Sequence, residues 1–348
     1  MNFKNFCLWC FIVTLSFYLL VVGKALLIPL VLAVFIWYSI NVLATLFRRL
    51  SFRGRRLNKT LCLVLPILII LGLSSMLVDL LSANIARFIQ AAPTYEENLN
   101  RLVMRIFNLL DIEQPSNLLQ SIGAIDFTGI ISQMALALSN IIGNAGIILI
   151  YVVFIFIEQK SFDKKLAALI SDPERKTRIL KIIHRISMDT QTYIGIKTFT
   201  SILTGVLSYF VMAAIGLDFA VLWAVLIFLL NYIPTIGSIL ATIFPSLLAL
   251  LQFNELYPFF VVAGGVGLLQ ILIGNFLEPR LMGKSLNLSP LVIILSLALW
   301  GALWGVTGMF LCVPITVIAM IILSYFPQTR PIAVILSVDG KLREDYNE

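Results

Sequence analysis

Charged residues are scarce in this sequence of 348 residues. Asp, Glu, Lys and Arg account for 12% of the chain, whereas 60% of it is hydrophobic and its mean hydropathy is +0.99. Soluble domains are roughly a quarter charged, so a water-soluble fold would have too few polar residues to cover its surface. The composition therefore excludes a soluble protein and predicts an all-α polytopic membrane protein, because helices satisfy their own backbone hydrogen bonds in lipid.

Histidine and cysteine are also sparse, which limits the chemistry. The single histidine, His184, excludes a histidine-rich metal site. Four cysteines lie in apolar runs, where we interpret them as small apolar helix residues: Cys7, Cys10, Cys62 and Cys312. The apolar runs also lack the paired Asp, Ser–His or H-E-x-x-H arrangements of intramembrane proteases. We predict that the protein is not an enzyme and uses no metal or cofactor.

A phosphate-binding loop is not favoured either. Gly283-Lys284-Ser285 has the form of the end of such a loop, but the full pattern needs a glycine at position 278, where the sequence has Glu. It also needs a preceding strand, and an apolar run precedes this segment. Any transport is therefore predicted to be passive or ion-coupled.

The apolar runs predict about eight membrane helices. They cover residues 6–22, 25–47, 60–81, 141–157, 198–216, 219–251, 257–274 and 291–326. Within 219–251, the first 12 residues reach about 18 Å, which is short of the roughly 30 Å hydrocarbon core. This segment is either a re-entrant turn or a helix broken at depth. The 36 residues of 291–326 exceed one span, so we expect a hairpin of 291–304 and 309–326.

Four regions follow from these runs. Residues 1–81 are the N-terminal membrane helices, and 82–140 are a small extracytoplasmic helical domain. Residues 141–327 form a C-terminal transport domain that includes a cytoplasmic loop, 158–197. A cytoplasmic tail, 328–348, ends the chain. In the loop, Asp172-Pro173-Glu174 predicts a helix start, and an interfacial helix is expected over 174–193.

The basic residues predict the orientation of the chain. Only four of the 25 lie in segments expected outside, namely Lys24, Arg87, Arg101 and Arg105. The other 21 lie in segments expected inside, as the positive-inside rule requires. Both termini are therefore predicted to be cytoplasmic, and the net charge of +7 indicates cytoplasmic loops rather than nucleic-acid binding.

Two interrupted apolar segments are candidates for a transport path. Short membrane segments broken by Gly or Pro expose backbone groups that can bind a polar solute or an ion. The first break contributes Asn231, Pro234, Thr235, Gly237 and Ser238, and the second contributes Gly301, Gly305, Gly308 and Pro314. The structural alternative is a kink or a close helix contact, which applies to Gly301-x-x-x-Gly305 above all.

A polar segment from Asn275 to Pro290 separates two uncharged runs. It contributes the candidate residues Asn275, Glu278, Pro279, Arg280 and Gly283. One interpretation is an interfacial ion pair of Glu278 with Arg280 at a helix end. The other is a gate or coupling site at the cytoplasmic mouth, with Glu278 titrating.

The C-terminal motifs resemble a known family over nearly the whole chain. They are Asn231-Tyr-Ile-Pro-Thr-Ile-Gly-Ser, Asn275-Phe-Leu-Glu-Pro-Arg-Leu-Met-Gly-Lys-Ser-Leu-Asn-Leu-Ser-Pro-Leu and Trp300-Gly-Ala-Leu-Trp-Gly-Val-Thr-Gly-Met-Phe-Leu-Cys-Val-Pro. The chain is identified by them as a member of the autoinducer-2 exporter (AI-2E) family of permease-like bacterial membrane proteins. Two departures are Thr235, where an aliphatic or small residue is expected, and Ser289, where a His is expected; the second puts proton coupling at that position in doubt.

The resemblance implies a multispan transporter of the bacterial inner membrane. It implies a homo-oligomer, with a pentamer as the suggested state, whose partners are the bilayer and a small-molecule solute or cation. Our first hypothesis is a secondary-type exporter of a small polar solute, such as an autoinducer-2-like signal. The alternatives are a sodium (lithium)/proton antiporter, for which Glu278 is the candidate acid, and a membrane scaffold for an envelope complex that uses the outer domain.

Overall fold

The computed structural model describes residues 3–49, 51–52, 55–56, 58, 61–109, 127–170, 172–283 and 287–342. The described chain is helical apart from short connections and one hairpin of two-residue strands, β1 (Ser51–Phe52) and β2 (Arg55–Arg56). Six of the described helices are long and apolar enough to cross a membrane, and three shorter apolar helices accompany them. The predicted all-α polytopic fold is therefore confirmed.

The helices are numbered in chain order. They are α1 (Phe3–Val22), α2 (Lys24–Arg49), α3 (Leu61–Leu109), α4 (Phe127–Leu169), α5 (Pro173–Ala214), α6 (Ala220–Leu230), α7 (Ile236–Phe253), α8 (Leu256–Ile271), a π-helix (Leu272–Leu277), α9 (Glu278–Met282), α10 (Pro290–Ser324) and α11 (Arg330–Leu336).

Two compact units share these helices. The first unit comprises Met1–Pro66, Asn144–Gly195 and Met282–Glu348. The second unit comprises Ile67–Gly143 and Ile196–Leu281. Both units are therefore built from segments that are distant in sequence.

Helix α3 runs through the predicted boundary at 81/82 and continues to Leu109. Residues 82–92 contain neither Gly nor Pro, so nothing in them ends a helix. The predicted extracytoplasmic domain thus begins, over 82–109, as a continuation of a membrane helix. Its residues 110–126 lie outside the described residues.

Helix α5 begins where the sequence predicts. The backbone N–H of Glu174 donates to Asp172 Oδ1 at 3.0 Å, and Pro173 occupies the first helical position. The helix then continues to Ala214, because no Gly or Pro occurs between Glu174 and Ile194. A helix over 174–193 is thus confirmed, but it is the first half of α5 and does not end there; its position at the membrane interface stays a prediction.

Helices α6 and α7 form an antiparallel hairpin, which decides between the two interpretations of 219–251. The rings of Trp223 and Phe244 stack with centroids 6.3 Å apart. The two residues lie at nearly equal distances from the turn along their helices, as the two arms of an antiparallel hairpin require. The 11 residues of α6 reach only about 16 Å, so the chain turns back before it completes a span. The turn needs Gly237, because a Cβ there would lie 1.8 Å from the carbonyl oxygen of Leu230.

A second hairpin lies within α10. Its backbone is non-helical at Gly305 (φ 62°, ψ −144°), a conformation that only glycine adopts without strain. Thr316 Oγ1 donates to Ser296 Oγ at 2.9 Å, although 20 residues separate them. The predicted hairpin in 291–326 is confirmed, with its turn at Gly305.

The second unit has an apolar core that we call the apolar cluster. Its buried members come from α3, α5, α6, α7, α8 and the α5–α6 turn: Tyr95, Leu102, Met212, Leu217, Ile227, Ala241, Leu248, Ala249, Leu251, Val262 and Val266.

Candidate functional site

A buried polar stripe runs along α5 in the second unit. Lys197, Ser201, Thr204 and Ser208 follow each other at intervals of three or four residues, which places them on one helix face. Thr200 borders the same face. The four hydroxyl residues are fully buried, and Lys197 is 7% exposed. From Lys197 to Ser208 the stripe extends about 16 Å along α5, and the other residues of this stretch are mostly apolar.

An ion pair forms the Lys197 end of the stripe. Lys197 Nζ donates to Glu278 Oε1 at 2.7 Å and to Oε2 at 2.9 Å. Thr200 Oγ1 donates to Glu278 Oε2 at 3.3 Å. The Lys197 and Glu278 side chains are only 9% and 15% exposed. Buried charges are stable only when they are paired and hydrogen-bonded, and both conditions are met here.

A π-helix, Leu272–Leu277, directly precedes Glu278 in the chain. Pro279 supplies a local reason, because it has no N–H to donate to the carbonyl of Asn275 four residues earlier. Single π turns inside α-helices frequently occur at functional sites.

The α6–α7 turn docks on the same stretch of α5. Asn231 Nδ2 donates to Ser201 Oγ at 3.1 Å, and the hydroxyls of Tyr232 and Thr198 lie 2.7 Å apart. Asn231 and Tyr232 are both buried. The turn, the stripe and the ion pair therefore form one polar cluster in the second unit.

Two buried polar groups, Ser208 and Gln270, lie in sequence between residues of this cluster and residues of the apolar cluster, and we call them the polar layer. Ser208 is one turn from Met212 on α5, and Gln270 is one turn from Val266 on α8, in both cases toward the ion pair. Within the described part of the chain, neither Ser208 Oγ nor Gln270 Nε2 has a hydrogen-bond partner. Buried polar groups normally do, so this polar layer suits a water or a ligand.

A cavity of about 430 Å³ lies at the other end of α5. Its lining residues are Asn84, Arg87, Tyr209, Ala213, Gly216, Leu217, Asp218, Phe219, Ala220 and Val221. On α5 its lining begins at Tyr209, one residue after Ser208. The stripe on α5 therefore leads from the ion pair toward this cavity.

The second half of α3 packs against this end of the unit. Tyr95 OH donates to Asp218 Oδ2 at 2.9 Å, and Asn98 Nδ2 donates to the carbonyl of Leu251 at 2.8 Å. Gln252 Oε1 accepts from the N–H of Asp218 at 2.7 Å. Burial, and then the hydrogen bond and negative charge of Asp218, raise the pKa of the Tyr95 phenol above its ordinary value. The contact is therefore made by a neutral phenol at physiological pH.

Comparison with known proteins decides the family. The model of the AI-2E family transporter matches residues 8–328. The chain belongs to the AI-2E transporter family. The resemblance expected from the C-terminal motifs is thereby confirmed, and the protein is a multi-pass membrane protein of a transporter family.

Curated relatives cover most of the chain. AI-2 transport protein TqsA of Escherichia coli (strain K12) is 32% identical over 321 residues, which are 90% of this chain and 89% of that protein. A protein of Haemophilus influenzae named "Putative transport protein" is 34% identical over 289 residues, or 81% and 83% of the two chains. "Putative transport protein YhhT" of Escherichia coli (strain K12) is 29% identical over 315 residues, or 89% and 88%.

The structure of this AI-2E family member brings two predicted site residues, Asn231 and Glu278, onto one stretch of α5. Of the other residues of the first break, Gly237 is buried, Pro234 is half-buried and Thr235 is exposed. Ser238 Oγ donates to the carbonyl of Thr235 at 2.9 Å.

The interpretation of Glu278 and Arg280 as an ion pair is wrong, since Glu278 pairs with Lys197 instead. Arg280 and Asn275 are exposed, as is Pro279. Gly283 is also exposed and has a positive φ of 53° just after α9.

The remaining predicted residues lie in the α10 hairpin of the first unit. Gly305 makes its turn, and Gly308 is buried where a Cβ would lie 1.9 Å from the carbonyl oxygen of Trp300. A Cβ at Gly301 would lie 2.9 Å from Met309. Pro314 is buried within the second arm. These glycines serve the close approach of the two arms, and a role in the path stays a prediction.

Sequence reasoning missed the stripe. From the sequence, Lys197 belongs with the bases of the loop 158–197, and the hydroxyl residues after it fall within the apolar run 198–216. The signal was present as polar residues at three- and four-residue spacing, which marks a helix face. Among the described residues, no group of three His, Cys, Asp or Glu side chains is placed to hold a metal.

Proposed function

We propose that this protein is a secondary-type exporter of a small polar solute whose path follows the polar stripe of α5. The observation that carries the proposal is a face of buried hydroxyl groups, Ser201 to Ser208, inside a membrane-spanning helix. Polar groups at membrane depth are expensive and mark solute or ion pathways. The name of the relative TqsA, an AI-2 transport protein, supports autoinducer-2 as the first solute to test.

The predicted orientation assigns a direction to this path. The Lys197–Glu278 pair would face the cytoplasm of a bacterial inner-membrane protein, and the cavity at Asp218 would face outward. The polar layer of Ser208 and Gln270 would then hold the solute, with the apolar cluster closing the path beyond it. In this arrangement a solute is occluded until the apolar cluster opens toward the cavity.

The exporter is tested by efflux from proteoliposomes loaded with labelled autoinducer-2. Ser208→Ala removes the unpartnered hydroxyl of the polar layer, and we expect a several-fold lower efflux rate at unchanged thermal stability. Ser246→Ala is the matched control, because Ser246 is equally buried on α7 but donates to the carbonyl of Thr242. Equal efflux from the two variants would contradict the proposed path.

Cation/proton antiport is a second candidate, favoured by the buried Lys197–Glu278 pair. A carboxylate that breaks its ion pair with a lysine and takes up a proton in its place can couple the movement of a solute or of sodium to that of protons. Proteoliposomes with sodium and proton gradients imposed separately distinguish the two functions. Glu278→Gln should abolish the response to the proton gradient, and an unchanged response would exclude coupling by Glu278.

We also infer that the protein functions as a homo-oligomer, as the family resemblance implies. Its state is measurable by mass photometry of the purified protein, for which a pentamer is the expected result.

A further inference from the structure

A basic cavity of about 510 Å³ lies in the first unit, where the first turns of α5 meet the end of α10. Its lining residues are Pro173, Glu174, Thr177, Arg178, Lys181 and Tyr325. The solute path proposed above uses none of these residues. The cavity therefore lies outside that path, and a ligand bound in it would be a different one.

The charge of the cavity selects an anion. Between Pro173 and Arg185, α5 carries five bases and a single acid, Glu174. Arg178 and Lys181 are exposed, and neither forms an ion pair within the described part of the chain. The hydroxyl of Thr177 already donates to the carbonyl of Pro173 at 2.9 Å. The two cationic side chains are thus the groups left to bind a ligand.

Exposed apolar side chains follow the lining residue Tyr325 in the sequence. Phe326 follows the lining residue Tyr325 and is 53% exposed. Helix α11 starts four residues later and exposes Ile332 and Ile335, the latter by 75%. A cationic cavity whose lining residue Tyr325 is followed by exposed apolar side chains matches a ligand with an anionic head and an apolar tail.

We propose that this cavity binds the phosphate headgroup of an anionic phospholipid, with an acyl chain along Phe326. Basic pockets beside membrane helices bind anionic headgroups, because each cationic side chain attracts the phosphate and the bilayer holds the tail. Arg178 can bind two phosphate oxygens with its planar guanidinium, and Lys181 adds a second cation. Free phosphate would leave the apolar side of the site unused.

The test is a titration of the purified full-length protein with phosphatidylglycerol in detergent micelles, followed by native mass spectrometry. Arg178→Gln/Lys181→Gln should weaken lipid retention about 30-fold, since each charge-assisted hydrogen bond to the phosphate contributes a roughly fivefold effect. The matched control is Arg175→Gln/Lys176→Gln, which removes the same charge outside the cavity lining. It should stay within about threefold of the wild type.

Three further measurements distinguish binding of an anionic phospholipid from binding of any lipid and from binding of free phosphate. Phosphatidylcholine with the same acyl chains should be retained weakly, and inorganic phosphate or glycerol 3-phosphate should not compete with phosphatidylglycerol. Phe326→Ala keeps every charge and should also weaken retention, which provides a second variant if the double substitution fails to fold. Equal loss in the two double variants, or competition by free phosphate, would overturn the proposal.

Discussion

Lys197 and Glu278 show how single residues constrain this protein. Each is a charged group whose side chain is nearly buried, and each satisfies its charge through the other at 2.7 Å. Removing one partner of a buried pair leaves the other charge uncompensated, which typically costs about 3–5 kcal/mol. Removing both leaves no such charge, so the two substitutions are not additive.

We therefore expect Lys197→Met to lower thermal stability strongly, and Lys197→Met/Glu278→Gln to recover much of the loss. The measurement is the unfolding temperature of the purified protein in detergent. Arg101→Ala is the control, because Arg101 and Glu97 form an exposed pair, 61% and 65% accessible, whose loss has little effect. A double variant less stable than Lys197→Met would show that the pair is not the source of the stabilisation.

Residue patterns also decided what the sequence could predict. Asn231, Gly237 and Glu278 were identified because Gly, Pro and charge interrupt apolar runs, and such interruptions are visible locally. Lys197 was not identified as the partner of Glu278, because it lies 81 residues away in sequence and resembles the loop bases that precede it. Pairings across that distance depend on helix packing, which no local pattern contains.

At the scale of elements, both hairpins follow from simple physical limits. The α6 segment is too short to cross a bilayer, and the α10 segment is too long to cross it once. Their turns occur at Gly237 and Gly305, where the backbone approaches closely or adopts a positive φ. The length of α3 was not predicted, because the helix continues through Pro93 from an apolar into an amphipathic sequence, and no local signal distinguishes this proline from one that ends a helix.

The second half of α3 makes an element-scale contact that can be tested alone. Tyr95→Phe removes the hydrogen bond to Asp218, and we expect a loss of about 1 kcal/mol with faster hydrogen exchange over residues 95–105 and 216–219. Tyr257→Phe is the control, because Tyr257 is 72% exposed.

The pH dependence of this contact follows from the raised pKa of Tyr95. A group whose pKa is raised on folding stabilises the fold fully below its ordinary pKa, which is about 10 for tyrosine, and loses that effect as the pH rises through the raised value. The difference in stability between wild type and Tyr95→Phe should thus be constant from about pH 6 to 9 and shrink only in strong alkali. A difference that vanished near neutral pH would contradict the assignment of a neutral phenol.

For the whole molecule, the distribution of basic residues fixes the expected orientation. Of the 25 Lys and Arg residues, only Lys24, Arg87, Arg101 and Arg105 fall in segments predicted to face outward. Three of these lie on α3, whose amphipathic second half begins after the span Val64–Ala91. The first turns of α5 carry five bases, which should hold them in the cytoplasm. Because Lys197 is buried against Glu278, it does not add to the exposed charge on the cytoplasmic side. The other bases expected inside still far outnumber the four expected outside.

Cysteine labelling of intact cells tests that orientation. In a background with the four native cysteines replaced by Ala, Glu97→Cys should react with a membrane-impermeant maleimide in whole cells, since its side chain is exposed on α3. Arg178→Cys, which is also exposed, on α5, should react only after the membrane is permeabilised. The opposite pattern would invert the predicted topology, so the Asp218 cavity would face the cytoplasm and the proposed path would carry its solute inward from the Lys197 end.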